Sequence, residues 1–230
     1  MQKRRKYKQF CGLARALDRI GERWTLLIVR NLLLGPKRYS DLAEELPGIT
    51  TNLLALRLRE MERQELIVKR KAPSPVRATV YELAPLGYAL EPALMELARW
   101  GGRFLDQPKK EDTLNVGWGL LALKRRYRGG LTQSVELTVG DRCFELTMTP
   151  AYLDVKERSA TRPDVKVRGD LGAVRGFLFQ GADAELMRKR GELVVDGSEA
   201  AWQAFKQAFV PREPSSELIA ARLASRGVLE

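Results

Sequence analysis

There is no histidine among the 230 residues of the chain. That absence removes Ser-His-Asp and Cys-His catalysis, the HExxH zinc sites and every histidine-based metal cluster. Cysteine is scarce: Cys11 and Cys143 stand far apart. Two such thiols supply neither a disulfide framework nor a CxxC metal site, and they fit a reducing compartment. No apolar run approaches the ~18 residues of a membrane span. The basic opening MQKRRKYKQF is not followed by the apolar core of a signal peptide. Low-complexity segments, internal repeats and paired-carboxylate or nucleophile patterns are also missing. An enzyme is therefore not expected, nor a metal or cofactor. The expected location is the cytoplasm.

Positive charge is what the chain has in excess. Its formal net charge is +11, which favours a polyanionic partner, nucleic acid or an anionic membrane surface. Residues 1–107 hold 20 Lys and Arg against 12 Asp and Glu, an excess of +8; residues 108–230 hold 20 against 17, an excess of +3. The length suits one large or two modest domains, each able to bury a core.

The charge gathers around Gly35 to Leu66, GPKRYSDLAEELPGITTNLLALRLREMERQEL. This stretch reads as two short helices joined by a tight turn. Ser40 is placed to cap the first, and Pro47-Gly48 stops it. Thr50 or Thr51 caps the second. At helical spacing Leu54, Leu58 and Met61 share one face, while Asn52, Ala55, Leu56, Arg59 and Arg63 share the other. Asn and Arg can pair with base edges in a DNA major groove, and small apolar groups can meet thymine methyls. An ordinary amphipathic surface helix has the same pattern, so the flanking chain has to separate the two.

Upstream, KRRKYK at 3–8 is a basic arm, either a solvated tail or a segment that touches phosphates. Leu13 to Leu34 is helical in pattern with a break at Gly21, and Trp24 is expected in the core. Downstream, Leu66-Ile67-Val68 and Thr79 to Leu83 are β-type runs around a basic, proline-containing tip. A hairpin directly after a helix-turn-helix is a wing. Its Lys69, Arg70, Lys71 and Arg77 would then sit where phosphates pass, as would Lys37, Arg38 and Arg63. Thr51, Asn52, Ala55, Leu56 and Arg59 are the candidates for base reading. Arg57 lies toward the buried edge of its helix, where it could brace the motif. Pro85 to Leu105 reads as one long helix whose stripe of Leu86, Leu90, Leu94, Leu97, Trp100 and Phe104 suits a homodimer seam, together with the N-terminal helix.

As a set these features resemble the HxlR-type winged-helix regulators of bacteria, over roughly residues 10–104. The resemblance rests on Trp24, Gly35, Arg38 to Leu42, Pro47-Gly48-Ile49, Arg57-Leu58, Tyr81 and Trp100. It implies dimeric DNA binding with helix 50–64 in the major groove. One departure is Glu65, where the family usually has Gly. Some members sense oxidants or electrophiles through a cysteine near the position of Cys11. Lys6 and Lys8 would favour its thiolate, although Cys11 would equally serve as a small residue at a helix start.

Asp106 to Thr113, DQPKKEDT, reads as a linker, so the expected domains are 1–106 and 114–211 with a linker at 107–113. The second half begins with a helix from Gly117 to Tyr127. Strands follow at Ser134–Val139, Cys143–Thr149, Tyr152–Lys156, Asp164–Gly169 and Glu192–Asp196. Helices cover Leu171–Gln180, Ala182–Lys189 and Glu199–Phe209, the last capped by Ser198. This is an α+β unit with a mostly antiparallel five-stranded sheet. Its GDL…G…G.L.V.G pattern resembles the sterol carrier protein-like fold, whose members bind lipids between sheet and helices. That resemblance makes Leu178, Phe179, Trp202, Phe205 and Phe209 candidate walls for an apolar small ligand; plain core is the other reading of each. Residues 212–230 look like a final amphipathic helix.

The expectation is an α+β chain that acts as a bacterial transcription regulator. It would bind a near-palindromic operator as a homodimer, tuned by an apolar ligand or by Cys11 oxidation. The alternative is a lipid carrier that uses its basic half on anionic membranes.

Overall fold

A computed structural model of the protein describes residues 6–72, 78–106 and 108–209. Arg77, residues 3–5 of the basic arm and the tail 212–230 lie outside the described residues. The chain divides into two compact units, Met1–Trp118 and Gly119–Glu230.

In the first unit, α1 (Gly12–Ile20) and α2 (Thr25–Leu33) are separated at Gly21. The Gly21 N–H closes α1 on the Leu17 carbonyl at 2.9 Å, and a Cβ there would stand only 2.6 Å from that oxygen. Trp24 caps α2 in the left-handed region with φ 81 and is half-buried, not the core residue expected. The run LLIVRNLLL makes α2 the centre of the unit. Ile28, Val29, Leu32 and Leu33 are buried, and the helix packs on α3 (Tyr39–Glu45), on β3 (Thr79–Leu83) and on α6 (Glu91–Gly101).

Ser40 is not the cap of α3. The helix starts at Tyr39, and the backbone N–H of Arg38 donates to the Asp41 carboxylate at 2.9 Å. An acid three residues into a helix satisfies an orphan donor there, which a serine one residue earlier cannot reach as well. Thr50 caps α4 (Thr51–Arg63), its hydroxyl oxygen accepting from the Leu53 N–H at 3.3 Å. Leu54, Leu58 and Met61 of α4 are buried, each worth about 1.5–3 kcal/mol of transfer free energy.

The end of α4 turns through Glu65, which has φ 60. The Leu66 N–H reaches the Met61 carbonyl at 2.9 Å and the Glu65 N–H reaches that of Glu62 at 3.0 Å. This is a Schellman turn, and its left-handed position normally takes glycine. The chain then enters β2 (Ile67–Lys71), which pairs antiparallel with β3 in the register Ile67↔Leu83 to Lys71↔Thr79. Burial falls along β2 from Ile67 outward, so Lys69, Arg70 and Lys71 project into solvent. A third strand, β1 (Lys37–Arg38), lies on the other side of β3. Two residues are too few to show a period, and the sequence pattern does not reveal them.

The single helix expected over Pro85 to Leu105 is broken. It forms α5 (Pro85–Tyr88), α6, and a 3-10 turn at Gly102–Phe104. Pro92 has no N–H to give to a preceding turn, so it belongs in the first turn of a new helix. Gly87 packs so closely on the Leu66 carbonyl oxygen that a Cβ would lie 2.1 Å from it. Leu94 and Met95 face the core, whereas Leu86, Leu97, Trp100 and Phe104 are exposed.

Helix α7 (Val116–Leu123) begins in the first unit and ends in the second, where it leads to β4 (Gln133–Val139), β5 (Arg142–Met148), β6 (Leu153–Lys156) and β7 (Val165–Gly169). After these come α8 (Leu171–Phe179), α9 (Ala184–Lys189), β8 (Leu193–Gly197) and α10 (Glu199–Gln207). The sheet has five strands in the order β6-β5-β4-β7-β8. It is mixed: β4 and β7 run parallel, and the other three pairings are antiparallel. Strict alternation along β4 buries Gln133, Val135, Leu137 and Val139 on one face. Asp170, Asp183 and Ser198 cap α8, α9 and α10 through their side chains. Trp202 and Phe205 are fully enclosed, Leu178 is buried, and Phe179 and Phe209 are half-buried. Phe177, Trp202, Phe205 and Phe209 stack in series with centroids 5.3 to 6.2 Å apart. Among the described residues, no helix is long and apolar enough to cross a membrane.

Candidate nucleic-acid interface

The outward face of α4 carries Thr51, Asn52, Leu56, Arg59 and Arg63, all exposed, with Ala55 half-buried among them. These are the residues read as base contacts, together with Arg63, and the helix brings them into one row because their spacing is three or four. Four side chains stand outside that row on the same unit. Arg38, Lys69, Arg70 and Lys71 are exposed. Arg70 is drawn back by Glu82 at 3.4 Å, and Lys69 lies 6.0 Å from the Tyr81 ring.

Lys37 is not available to a phosphate. Its side chain is 8% exposed and its ammonium donates to Glu45 at 2.9 Å. Sequence charge alone places lysine at the surface; the acid eight residues further on pulls this one under it. Around the pair lies a polar cluster within the first unit that sequence reasoning missed. Asn31, fully buried, accepts from Arg30 at 3.1 Å and from the Trp118 indole N–H at 2.8 Å. The Arg30 guanidinium stacks 3.6 Å from the Trp118 centroid. Burial pushes the Arg30 guanidinium down to about 10, against the opposing attraction of Glu45. The signal for this cluster was the Arg30-Asn31 pair inside an otherwise apolar run.

Two polar contacts fix α4 itself. The Tyr39 hydroxyl donates to the Thr51 carbonyl at 2.7 Å. Arg57, 12% exposed, forks between Glu60 and Glu22, the latter at 2.7 Å. Arg57 is thus turned into the unit, in the bracing role its edge position suggested.

Cys11 is exposed at the N-cap of α1. Its thiol is lowered from the ordinary cysteine value by the backbone amides of Ala14 and then Leu13. The helix start supplies this effect, not Lys6 and Lys8 as expected. Cys143 is half-buried in the other unit, and both thiols are free. Phe10, Leu13 and Leu17 around α1 are exposed, like Leu97, Trp100, Phe104 and Leu105 at the end of α6. Among the described residues, no group of histidine, cysteine, aspartate and glutamate is arranged to hold a metal ion.

Comparison with known proteins gives the family of the N-terminal region. The HxlR-like helix-turn-helix family matches residues 19–109. The HTH-type transcriptional regulator YodB of Bacillus subtilis is 33% identical over 91 residues, covering 40% of this chain and 81% of YodB. The HTH-type transcriptional regulator YkvN of the same organism is 35% identical over 106 residues, covering 46% of this chain and 90% of YkvN. The solved structure of reduced YodB shares 30% identity, covers 44% of this chain and 100% of its own, and has a TM-score of 0.37. With relatives at 33% and 35% identity covered over most of their length, the chain belongs to the HxlR-like helix-turn-helix family of DNA-binding transcriptional regulators.

Proposed function

We propose that the protein regulates transcription in the bacterial cytoplasm by binding a near-palindromic operator as a homodimer. One observation carries this reading: α4 exposes Asn52, Leu56, Arg59 and Arg63 in a row while burying Leu54, Leu58 and Met61 behind it. Asn52 and Arg59 read base edges, with Thr51, Ala55 and Leu56 beside them. Arg38, Arg63, Lys69, Arg70 and Lys71 hold phosphates. The homodimer forms through the exposed apolar residues of α1 (Leu13, Leu17) and of the segment from α6 to the 3-10 turn (Leu97, Trp100, Phe104). Cys11, with its lowered thiol at the start of α1, is the redox input. The 119–230 unit, with its sterol carrier-like order of elements, is the seat of an apolar effector.

The experiment is binding to a randomised duplex library. Arg59→Ala is expected to cost about 1–3 kcal/mol on the selected duplex and to relax preference at one base pair. An unchanged preference would remove Arg59 from base reading. Attachment to anionic lipid is a second reading, favoured by exposed Trp100 and Phe104 beside exposed Arg99 and Arg103. Sedimentation with anionic vesicles but no duplex preference would install it in place of the first.

A further inference from the structure

Arg57 sits on the reading helix yet does not face outward. Its guanidinium is held between two carboxylates, Glu60 one turn along α4 and Glu22 in the junction between α1 and α2. Its Nε is buried and has no hydrogen-bond partner, so the side chain is committed to its two terminal nitrogens. Two acids neutralise the one base, which leaves Arg57 little long-range attraction for phosphate.

Between its capped first turn and the Schellman turn that ends it, α4 is held mainly by apolar side chains. Leu54, Leu58 and Met61 are held by apolar burial, which is non-directional. The Tyr39 hydroxyl pins only the first turn, at the Thr51 carbonyl. A planar guanidinium is directional, because its N–H groups point along set lines, and of its two acceptors Glu22 is the one that lies outside α4. Base reading needs that direction. Asn52, Leu56 and Arg59 lie on one row, and a rotation of α4 by part of a residue's ~100° step would carry all three off the groove floor together.

We propose that Glu22 and Arg57 are a positioning pair that sets the rotation of α4, and with it the sequence preference of the protein. This rests on α4 being the base-reading helix. Neither residue touches DNA; both act through Asn52 and Arg59.

The test uses the full chain and two duplexes, one selected from a random library by the wild-type protein and one with the same bases scrambled. Affinities are measured for wild type, Glu22→Gln, Arg57→Lys and the charge-swapped double variant Glu22→Arg with Arg57→Glu. Glu22→Gln is expected to lower the ratio of selected to scrambled affinity roughly tenfold, the worth of a misplaced base contact. Scrambled-duplex affinity should stay level or rise, because Arg57 loses a neutralising acid. Arg57→Lys should behave alike on the selected duplex, and the swap should return part of the ratio. An unchanged ratio in Glu22→Gln overturns the proposal. An equal loss on both duplexes that follows a fall in Tm marks a plain brace and overturns it too. Should Glu22→Gln fail to fold, Arg57→Lys decides, since it keeps charge and bulk and loses only the fork. A wild-type protein that selects no duplex overturns the reading beneath, a result distinct from a preference that survives in the variants.

Discussion

On the strands of the second unit and the bend after β6, charges answer each other. Arg158 meets Glu145 and Arg142 meets Glu157, each at 2.6 Å, and Lys166 meets Glu136 at 3.5 Å. In the first unit Arg59, Arg63, Lys69 and Lys71 stand exposed along one helix and one hairpin. Apolar surface divides the same way. The second unit encloses Trp202 and Phe205 completely, while the first leaves Trp100 60% and Phe104 67% exposed. The sequence excess of +8 against +3 is thus more than a count. Both units expose some apolar side chains, Tyr152 and Val194 in the second among them, but the first leaves its large aromatics Trp100 and Phe104 outside while the second encloses Trp202 and Phe205.

The largest effect is expected where the second unit is most self-contained. Trp202→Ala removes a wholly buried ring that stacks on Phe177 and Phe205 and donates its indole N–H to Glu185 at 2.8 Å. Such truncations cost about 3–5 kcal/mol. Calorimetry should show that loss while duplex affinity stays near wild type. A parallel fall in duplex affinity would break the contrast between the units.

Trp100→Glu should do the converse. It places a charge on the exposed apolar surface of α6 and leaves the buried Leu94 and Met95 alone. Sedimentation should show monomers, with operator affinity down on the order of a hundredfold as two-site binding is lost. A dimer that persists would move the seam elsewhere.

The contrast also shows what a sequence makes legible. Periodicity gave the two helices of the helix-turn-helix, the wing and all five later strands, because each is long enough to display its repeat. Ser198 was readable as a cap, and the α4 cap as Thr50 or Thr51, because such a hydroxyl serves a donor three residues on. The rest depends on groups brought together from a distance. Lys37 is hidden by Glu45, and the parallel pairing of β4 with β7 joins strands 26 or more residues apart. Asn31 meets Trp118 across 87 residues. The break before α6 was masked differently: the apolar spacing continues on both sides of Pro92, and the pattern hid the proline.

A smaller effect tests the chemistry of Cys11. With its thiol lowered by the amides of Ala14 and Leu13, more of it is thiolate at neutral pH than in the unfolded chain. Peptide-resolved alkylation across pH should give Cys11 a midpoint below that of the same residue in denaturant. The two curves should coincide if the helix start gives it nothing.

The smallest effect concerns Glu65, one position where the helix-turn-helix departs from the pattern it resembles. With φ 60 at the turn that ends α4, a residue bearing a Cβ is strained by about 1–2 kcal/mol in the left-handed region. Glycine escapes that strain but loses about 0.5–1 kcal/mol more backbone freedom on folding. Glu65→Gly should therefore stabilise the first unit by roughly 0.5–1 kcal/mol, and Glu65→Val should destabilise it, since β-branching fits the left-handed region worse still. Leu66 and Met61, both 2% exposed, close the turn from within, so glycine leaves the geometry of α4 and the wing in place. Duplex preference should not change. If Tm falls in the glycine variant, the carboxylate of Glu65 must be stabilising the turn by more than its backbone strain costs.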